Sequence, residues 1–309
     1  TCNDSDGSRM IFHKFANESY RNENIMFKKL LGIAPNQTED GAFSPSRLSL
    51  KLASSAKTNY DGGVYQNPYT GGKARVLVVL TEERNMMMAN GRKFSTGNHP
   101  VEMALPMLHL INAGFELDLV TPTGAPAIIE QWAMPNNDKS VAKLFAKYDD
   151  ALAKPNSLID FANNLLIDNS PYVGVFIPGG HGAMLGLPSD PNLGKILRWA
   201  QKKNIHIITL CHGPGTLMSA KIDNEFIFND YEIALFPDAV DKQTPMIGYL
   251  PGQMPFELGE KLQELGMHII NKKADDTCHI DRNLITGASP YASNKLGRLA
   301  AETLLKVVN

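Results

Sequence analysis

Ile205-His206-Ile207-Ile208-Thr209-Leu210-Cys211-His212-Gly213-Pro214-Gly215 is the stretch that decides the fold. Its first half is apolar and strand-length, and its second half gathers small and ring-constrained residues. A helical pattern resumes near Thr216. A short apolar run bounded by turn residues suits a strand buried on both faces. The stretch therefore predicts a strand-to-helix turn with Cys211 at its tip, like a nucleophile elbow. Such a turn presents the thiol at the carboxyl edge of a sheet, near a helix N-terminus. The helix dipole there is expected to stabilise a thiolate and lower its pKa. His212, the next residue, is a candidate base or proton shuttle. The alternative is a buried, inert cysteine, since free Cys is among the most buried residue types.

Outward from this turn the same texture recurs. Residues 75–80, 116–120, 172–177, 267–270 and 284–286 read as further strands, and 101–113, 193–203 and 293–308 as helices. Strands alternating with helices imply βαβ units, hence an α/β fold with a mostly parallel central sheet. Sites in such sheets form outside the carboxyl ends of the strands. Residues 41–73 carry Ser, Pro, Gly and Tyr without a period, and residues 121–165 interrupt the alternation. Both read as cap segments of one catalytic unit spanning 39–309. Residues 1–38 read as a weakly ordered arm, polar and rich in Asn, with one short amphipathic piece at 25–33.

Composition sets the outer bounds. The 309 residues are 43% hydrophobic with a formal net charge of −2, which argues against a broad nucleic-acid or anionic-membrane footprint. No stretch approaches the roughly 18 apolar residues of a membrane span. The three cysteines, Cys2, Cys211 and Cys278, are too few for a disulfide framework and fit a reducing, cytoplasmic setting. The chain begins at Thr1, as if a start residue or leader were trimmed, and what remains has no signal-peptide pattern.

Two further segments carry chemistry. Pro178-Gly179-Gly180-His181-Gly182 ends the preceding strand, so in a parallel sheet it lies beside the Cys211 turn. Its backbone N–H groups can form an oxyanion hole, or it is an ordinary turn needing glycine. Gly97-Asn98-His99-Pro100-Val101-Glu102 puts Glu102 in the first turn of a helix. A desolvated carboxyl there becomes a neutral acid beside the thiol; the commoner alternative is a surface Glu matched to the helix dipole. His99 and His181 are candidates to line the pocket. His13, His206, His268 and His279 lack partners at ligand spacing, Cys278 has no catalytic setting, and Trp132, in the cap-like region, is a candidate pocket wall with packing as the alternative.

These residues bear a family resemblance. The Pro178–Gly182 turn followed by Leu210-Cys211-His212-Gly213-Pro214 resembles the PfpI-like superfamily, of class I glutamine amidotransferase-like fold. Asn90 to Pro100, Trp132-Ala133-Met134-Pro135 and Phe236 to Tyr249 narrow the likeness to the heat-shock protein 31 (HchA-type) clade. The resemblance implies a flavodoxin-like sandwich with a small cap domain, usually a homodimer. It implies Cys211 as nucleophile with His212, Asp241 as third triad member (Asp238 being the nearer competitor), Glu102 facing the elbow, and Gly179 and Gly180 lending N–H groups. The implied activities are cofactor-independent glyoxalase III and deglycase chemistry, holding of unfolded clients, and weak aminopeptidase activity. The expected partners are a small dicarbonyl or a glycated protein.

One departure stands out. The clade's metal ligands, two His and a Glu, fall on Ile111, Glu116 and Tyr148. Two of the three are lost, and His109 lies about 200° around the helix from the required face. No metal is expected there. The run Met86-Met87-Met88 is the one feature that suggests an adaptable surface; the alternative is a loop with its Met side chains partly packed.

Overall fold

The computed structural model describes residues 28–38, 40–164 and 170–308. The main sheet contains β1 (Arg75–Val79), β2 (Glu116–Thr121), β3 (Asn156–Ser157), β4 (Tyr172–Ile177), β5 (His206–Leu210), β6 (Cys278–Asp281) and β7 (Leu284–Gly287). Their spatial order is β6-β7-β5-β4-β1-β2-β3. Every pairing is parallel except β6 with β7. The α/β reading from the apolar runs is correct.

Those runs are continuous because both sheet faces are covered. Leu77 and Val79 point to one face with Val175, Ile177 and Ile207. Val76 and Val78 point to the other with Phe176, Ile208 and Ile285. This second face is covered mainly by α1 (Pro100–Asn112) and by the helix Ser293–Val308. Between them in sequence, α2 (Pro191–Lys202) covers the first face with Leu193, Ile196 and Leu197. We call the C-terminal helix α3. It approaches α1 closely: a Cβ on Gly297 would lie 2.8 Å from the Pro106 backbone. Glycine is required there by space. Start signals act as expected, with Pro100 and Pro191 in first turns and Asp190 accepting the Asn192 and Leu193 N–H groups.

Several expectations need correction. The segment after Cys211 is a 3₁₀ helix from Gly213 to Ala220, so helical structure begins before Thr216 and is not α. The strand near 267–270 is His268–Ile269, which pairs with Glu232–Ile233 outside the main sheet. Residues 121–165 supply edge strand β3 and helix Lys139–Ala153, whose Val141 and Leu144 join the core on the α1 side. The separate small sheet instead uses Asn36–Gln37, Phe43–Ser44, Lys93–Ser95 and Asn85–Met87. Met86 and Met88 are buried while Met87 is half-exposed, the alternation of a strand and not a loop. Of the helix expected at 25–33, residues 28–30 are helical. Residues 25–27, with the rest of the arm up to residue 27, lie outside the described residues, as do Cys2 and His13.

Residues 54–74 form a strap across α1 and α3, anchored on buried His109. Its ring nitrogens meet the Tyr65 hydroxyl at 2.7 Å and Asn294 Oδ1 at 2.9 Å. Asp61 of the strap pairs with Arg298 of α3 at 2.7 Å.

Phe176 is fully buried at the centre of the main sheet. Phe176→Ala is expected to cost about 3–5 kcal/mol through lost burial and the cavity left behind. Urea denaturation reads this; a loss under about 1 kcal/mol would contradict the packing described.

Candidate active site

Cys211 follows β5 with φ of +58°, a left-handed conformation that strains a side-chain-bearing residue. Two hydrogen bonds hold it. Its N–H donates to the Gly287 carbonyl at 2.8 Å, and its carbonyl accepts from the Phe236 N–H at 3.0 Å. The neighbouring glycine turn makes room. A Cβ on Gly179 would sit 2.8 Å from Cys211 Cβ and 2.0 Å from a Glu102 carboxyl oxygen. The elbow expected from the sequence is present.

Cys211 Sγ lies 3.3 Å from His212 Nδ1, and His212 Nε2 lies 2.8 Å from Asp241 Oδ2. All three side chains are buried. Burial alone would raise the Asp241 pKa, but His212 and His181 outweigh it and hold the carboxyl well below the usual range. An ionised carboxylate only accepts, so Nε2 carries the ring proton and the Nδ1 lone pair faces the thiol. Asp238, the competitor, is elsewhere: it accepts the Gly259 and Glu260 N–H groups at 2.8 and 3.0 Å, capping helix Leu258–Glu264.

Glu102 is a buried acid here, not a surface one. Its oxygens look toward the thiol and the Gly180 N–H without closing a hydrogen bond of full geometry. Burial first, and then the facing Glu130, push its pKa well up, which favours the proton-bearing form. The thiol is also pushed well up, by burial first and then by Glu102 and Asp241. This corrects the expectation of a dipole-stabilised thiolate. The short 3₁₀ segment does not offset burial beside two acids, and the thiol rests protonated next to its base.

His99 caps α1, its Nδ1 accepting the Glu102 N–H at 3.5 Å. Burial, with His181 and His212 facing, pushes its pKa down to about 3. The His99 N–H in turn donates to the Gly179 carbonyl at 3.1 Å. His181 binds the other oxygen of Asp241 at 3.3 Å and lies on the His212 ring with centroids 3.9 Å apart. A cavity of about 260 Å³ reaches His99 between Thr58, Val101, Ala133 and Tyr291, and one of about 430 Å³ reaches Asp241 beside Gln253 and Phe256. Trp132 donates to the Ser95 carbonyl at 3.1 Å and meets Tyr249 edge-on. Cys278 sits apart on β6, its pKa pushed by burial to about 12.

The DJ-1/PfpI family model matches residues 94–225, which span both glycine turns and the elbow. Over 276 residues the chain is 48% identical to the protein/nucleic acid deglycase HchA of Pseudomonas aeruginosa (strain LESB58), covering 88% of this chain and 94% of that protein. The chain belongs to the DJ-1/PfpI family. Protein/nucleic acid deglycase 1 of Escherichia coli (strain K12) is 43% identical over 267 residues, 86% of this chain and 93% of that one. Among solved structures, the 24 kDa rapid encystment protein of Francisella tularensis superposes with a TM-score of 0.62 at 24% identity, over 75% of this chain and 99% of that chain. Glyoxalase III of Candida albicans superposes at 0.57 with 22% identity, over 74% and 98% of the two chains. These two show the shared flavodoxin-like fold.

Within this family frame the clade's metal positions do not fit a metal. Ile111 packs against the α1-side core and has no donor. Glu116 is ion-paired to Arg75. The Tyr148 ring packs on the same core, and burial pushes its hydroxyl pKa up, away from the ligating anion. His181, His212 and Asp241 do bring donor atoms within 4.8 Å of one another. However, the two imidazoles lie face against face, 32° from parallel. In-plane lone pairs on such rings do not converge on one ion at the roughly 2.0–2.1 Å a Zn–N bond needs.

The sequence reading overlooked Glu130, which is buried and accepts the Thr96 hydroxyl at 2.6 Å. The available signal was a lone acid ending the apolar run Ala127-Ile128-Ile129. Elemental analysis of purified protein is expected to find no stoichiometric zinc. One equivalent that is lost on Glu116→Ala would overturn this reading.

Proposed function

We propose that the chain is a cofactor-independent glyoxalase III that converts methylglyoxal to lactate through a cysteine hemithioacetal, with protein deglycase activity at the same thiol. The observation that carries this is the buried line from Cys211 Sγ through His212 to Asp241, with the buried Glu102 carboxyl facing the thiol. Both named deglycases and a named glyoxalase III among the similar proteins support it.

The chemistry follows from a resting thiol. His212 Nδ1 takes the S–H proton as sulfur bonds to the aldehyde carbon, and Asp241 stabilises the imidazolium. The oxyanion lies toward the Gly179–Gly180 turn, where Glu102 and backbone N–H groups are available to it. The hemithioacetal C–H proton then moves to the neighbouring carbon through an enediol, with Glu102 and His212 as carriers. This leaves a lactoyl thioester. Water cleaves it to lactate and regenerates the thiol. The sum is methylglyoxal plus water giving lactic acid, with no net redox change, so no organic cofactor is required. His99 and His181 wall the site. A glycation adduct begins at a similar carbon and enters the same path. The relatives' name extends to glycated nucleic acids; the chain's charge speaks only against a broad polyanion-binding face.

Cys211→Ala is expected to abolish lactate formation while keeping the fold. Retained turnover in that variant would sink the assignment. Parallel peptidase measurements decide against the aminopeptidase reading if hydrolysis stays far below lactate formation.

A holding role for unfolded clients draws on a different observation, the exposed Leu30, Val64 and Met246 side chains. Cys211→Ala leaves these in place, so suppression of client aggregation by that variant separates the two activities. The homodimer belongs to this reading through the family resemblance, and the reducing, cytoplasmic setting through the low cysteine count. Among the described residues no helix is long and apolar enough to cross a membrane.

Asp241→Asn is expected to slow lactate formation at least about 100-fold, because it replaces an acceptor-only carboxylate by a neutral amide whose N–H can face His212 Nε2 and select the wrong tautomer. Asp238→Ala should keep turnover and lose about 1 kcal/mol of stability with its helix cap. Steady-state kinetics and thermal melts read both, and equal loss of activity in the two would contradict the assignment of the triad.

A further inference from the structure

Two cavities reach the site, and they differ in charge. The one beside Asp241 is lined by three carboxyl groups, those of Asp238, Asp241 and Glu257, and by Lys242, which is paired to Glu257 at 2.6 Å. The one at His99 is lined by no carboxyl group among the described residues. Its one ionised side chain is Lys57 of the strap, which is exposed and has no ion-pair partner among the described residues. Asp138, which binds the strap at Thr58, does not line this cavity. One of its oxygens takes the Thr58 N–H at 3.0 Å, and the other takes the Ser140 and Val141 N–H groups at 3.0 and 3.1 Å.

The cavities also differ in where they stand relative to the sulfur. Cys211 Sγ faces Nδ1 of His212, whereas Asp241 lies beyond Nε2, and the His181 ring is laid over that of His212. A molecule entering beside Asp241 has imidazole rings between it and the thiol. The other cavity runs inward from the strap and Tyr291, which is 57% exposed, to His99, which is 7% exposed. His99 Nδ1 lies 3.7 Å from Glu102 Oε1. The other Glu102 oxygen and Cys211 Cβ both border the space in front of Gly179. This side therefore leads to the thiol and to the carboxyl group that faces it.

We propose that the cavity between the strap and Tyr291 is the subsite for the part of the substrate beyond the reacting carbonyl, and that Lys57 makes it prefer 2-oxoaldehydes and adducts bearing a carboxylate or a phosphate. This rests on Cys211 as the nucleophile and names the substrate class of that same site. Lys57 touches no reacting atom and selects by charge.

The direction follows from the lining. An anionic group in this cavity meets an unpaired ammonium and no like charge, and the first turn of α1, at His99 and Val101, adds the positive end of a 13-residue helix. The same group in the cavity beside Asp241 meets three acids and a lysine already paired to one of them. An adduct on a cationic side chain is disfavoured beside Lys57 by like charge, so selection works by repulsion as well as attraction. A negative charge on the incoming molecule therefore tells the two routes apart.

The test compares alkylation of Cys211 by iodoacetate and by iodoacetamide, which offer the thiol the same carbon with and without a negative charge. Rates are read at that cysteine by mass spectrometry in the full chain and in its Lys57→Met, Lys57→Glu and Lys242→Met variants. The ratio of the iodoacetate rate to the iodoacetamide rate is expected to fall about threefold in Lys57→Met and about tenfold in Lys57→Glu, the scale of one and two unit charges facing a solvent-open cavity. Lys242→Met, in the other cavity, is expected to change the ratio little. An unchanged ratio in both Lys57 variants overturns the proposal, as does a fall in Lys242→Met as large as that in Lys57→Met. In turnover, 4,5-dioxopentanoate, a 2-oxoaldehyde ending in a carboxylate, is expected to lose more kcat/KM than methylglyoxal on Lys57→Met; an equal loss counts against the subsite. Alkylation needs no turnover, so if neither compound is converted the glyoxalase reading fails while the alkylation ratio still decides the subsite.

Discussion

Everything reactive in this molecule depends on a backbone constraint at one residue. Cys211 holds a left-handed conformation that its side chain disfavours, and the bonds to Gly287 and Phe236 fix it from both sides. The strain aims the sulfur away from the sheet, between an imidazole and a carboxyl. A relaxed backbone would send it elsewhere. The bare surface of Gly179 is the complement of that turn, since any side chain there would occupy the space of Glu102 and the thiol.

Around that sulfur the energetics are those of burial rather than of a helix dipole. Three acids (Glu102, Glu130 and Asp241) and three histidines (His99, His181 and His212) share a region almost closed to water. Water cannot screen them, so only Asp241, which takes a histidine on each oxygen, is strongly biased toward the ionised form. Glu102 keeps its proton instead. The site is thus poised around neutral partners that become charged when a reacting carbonyl arrives.

Much of this was legible in the chain. Continuous apolar runs such as Val76 to Leu80 are read correctly because a doubly covered parallel strand leaves no polar face to confuse the pattern. The elbow was legible because strand, small residues and helix start coincide within eleven positions. The choice of Asp241 over Asp238 came from resemblance, and only the three-dimensional contacts give its reason: Asp238 is occupied by the N–H groups of a later helix. The small sheet escaped because its strands are two or three residues long, too short to show a period. Glu130 escaped because burial, not spacing, makes it matter. The thiol's protonation was misread for a related reason. A dipole argument needs only local sequence, whereas desolvation depends on everything that closes over the site.

The hydrogen bond from Cys211 to Gly287 has a consequence for how the protein comes into being. Gly287 lies on β7, 76 residues after Cys211, and Tyr291, which lines the cavity at His99, comes after it. The strap that lines the same cavity is tied to α3, joining Asp61 to Asn294 across 233 positions. While the ribosome is still extending the chain, the cysteine exists but its elbow has no anchor and its cavity no far wall. Contacts this distant along the chain form late. A nascent chain that stops short of these residues therefore carries an ordinary thiol, and the reactive centre is assembled only once the segment from Gly287 to Asn294 has been made.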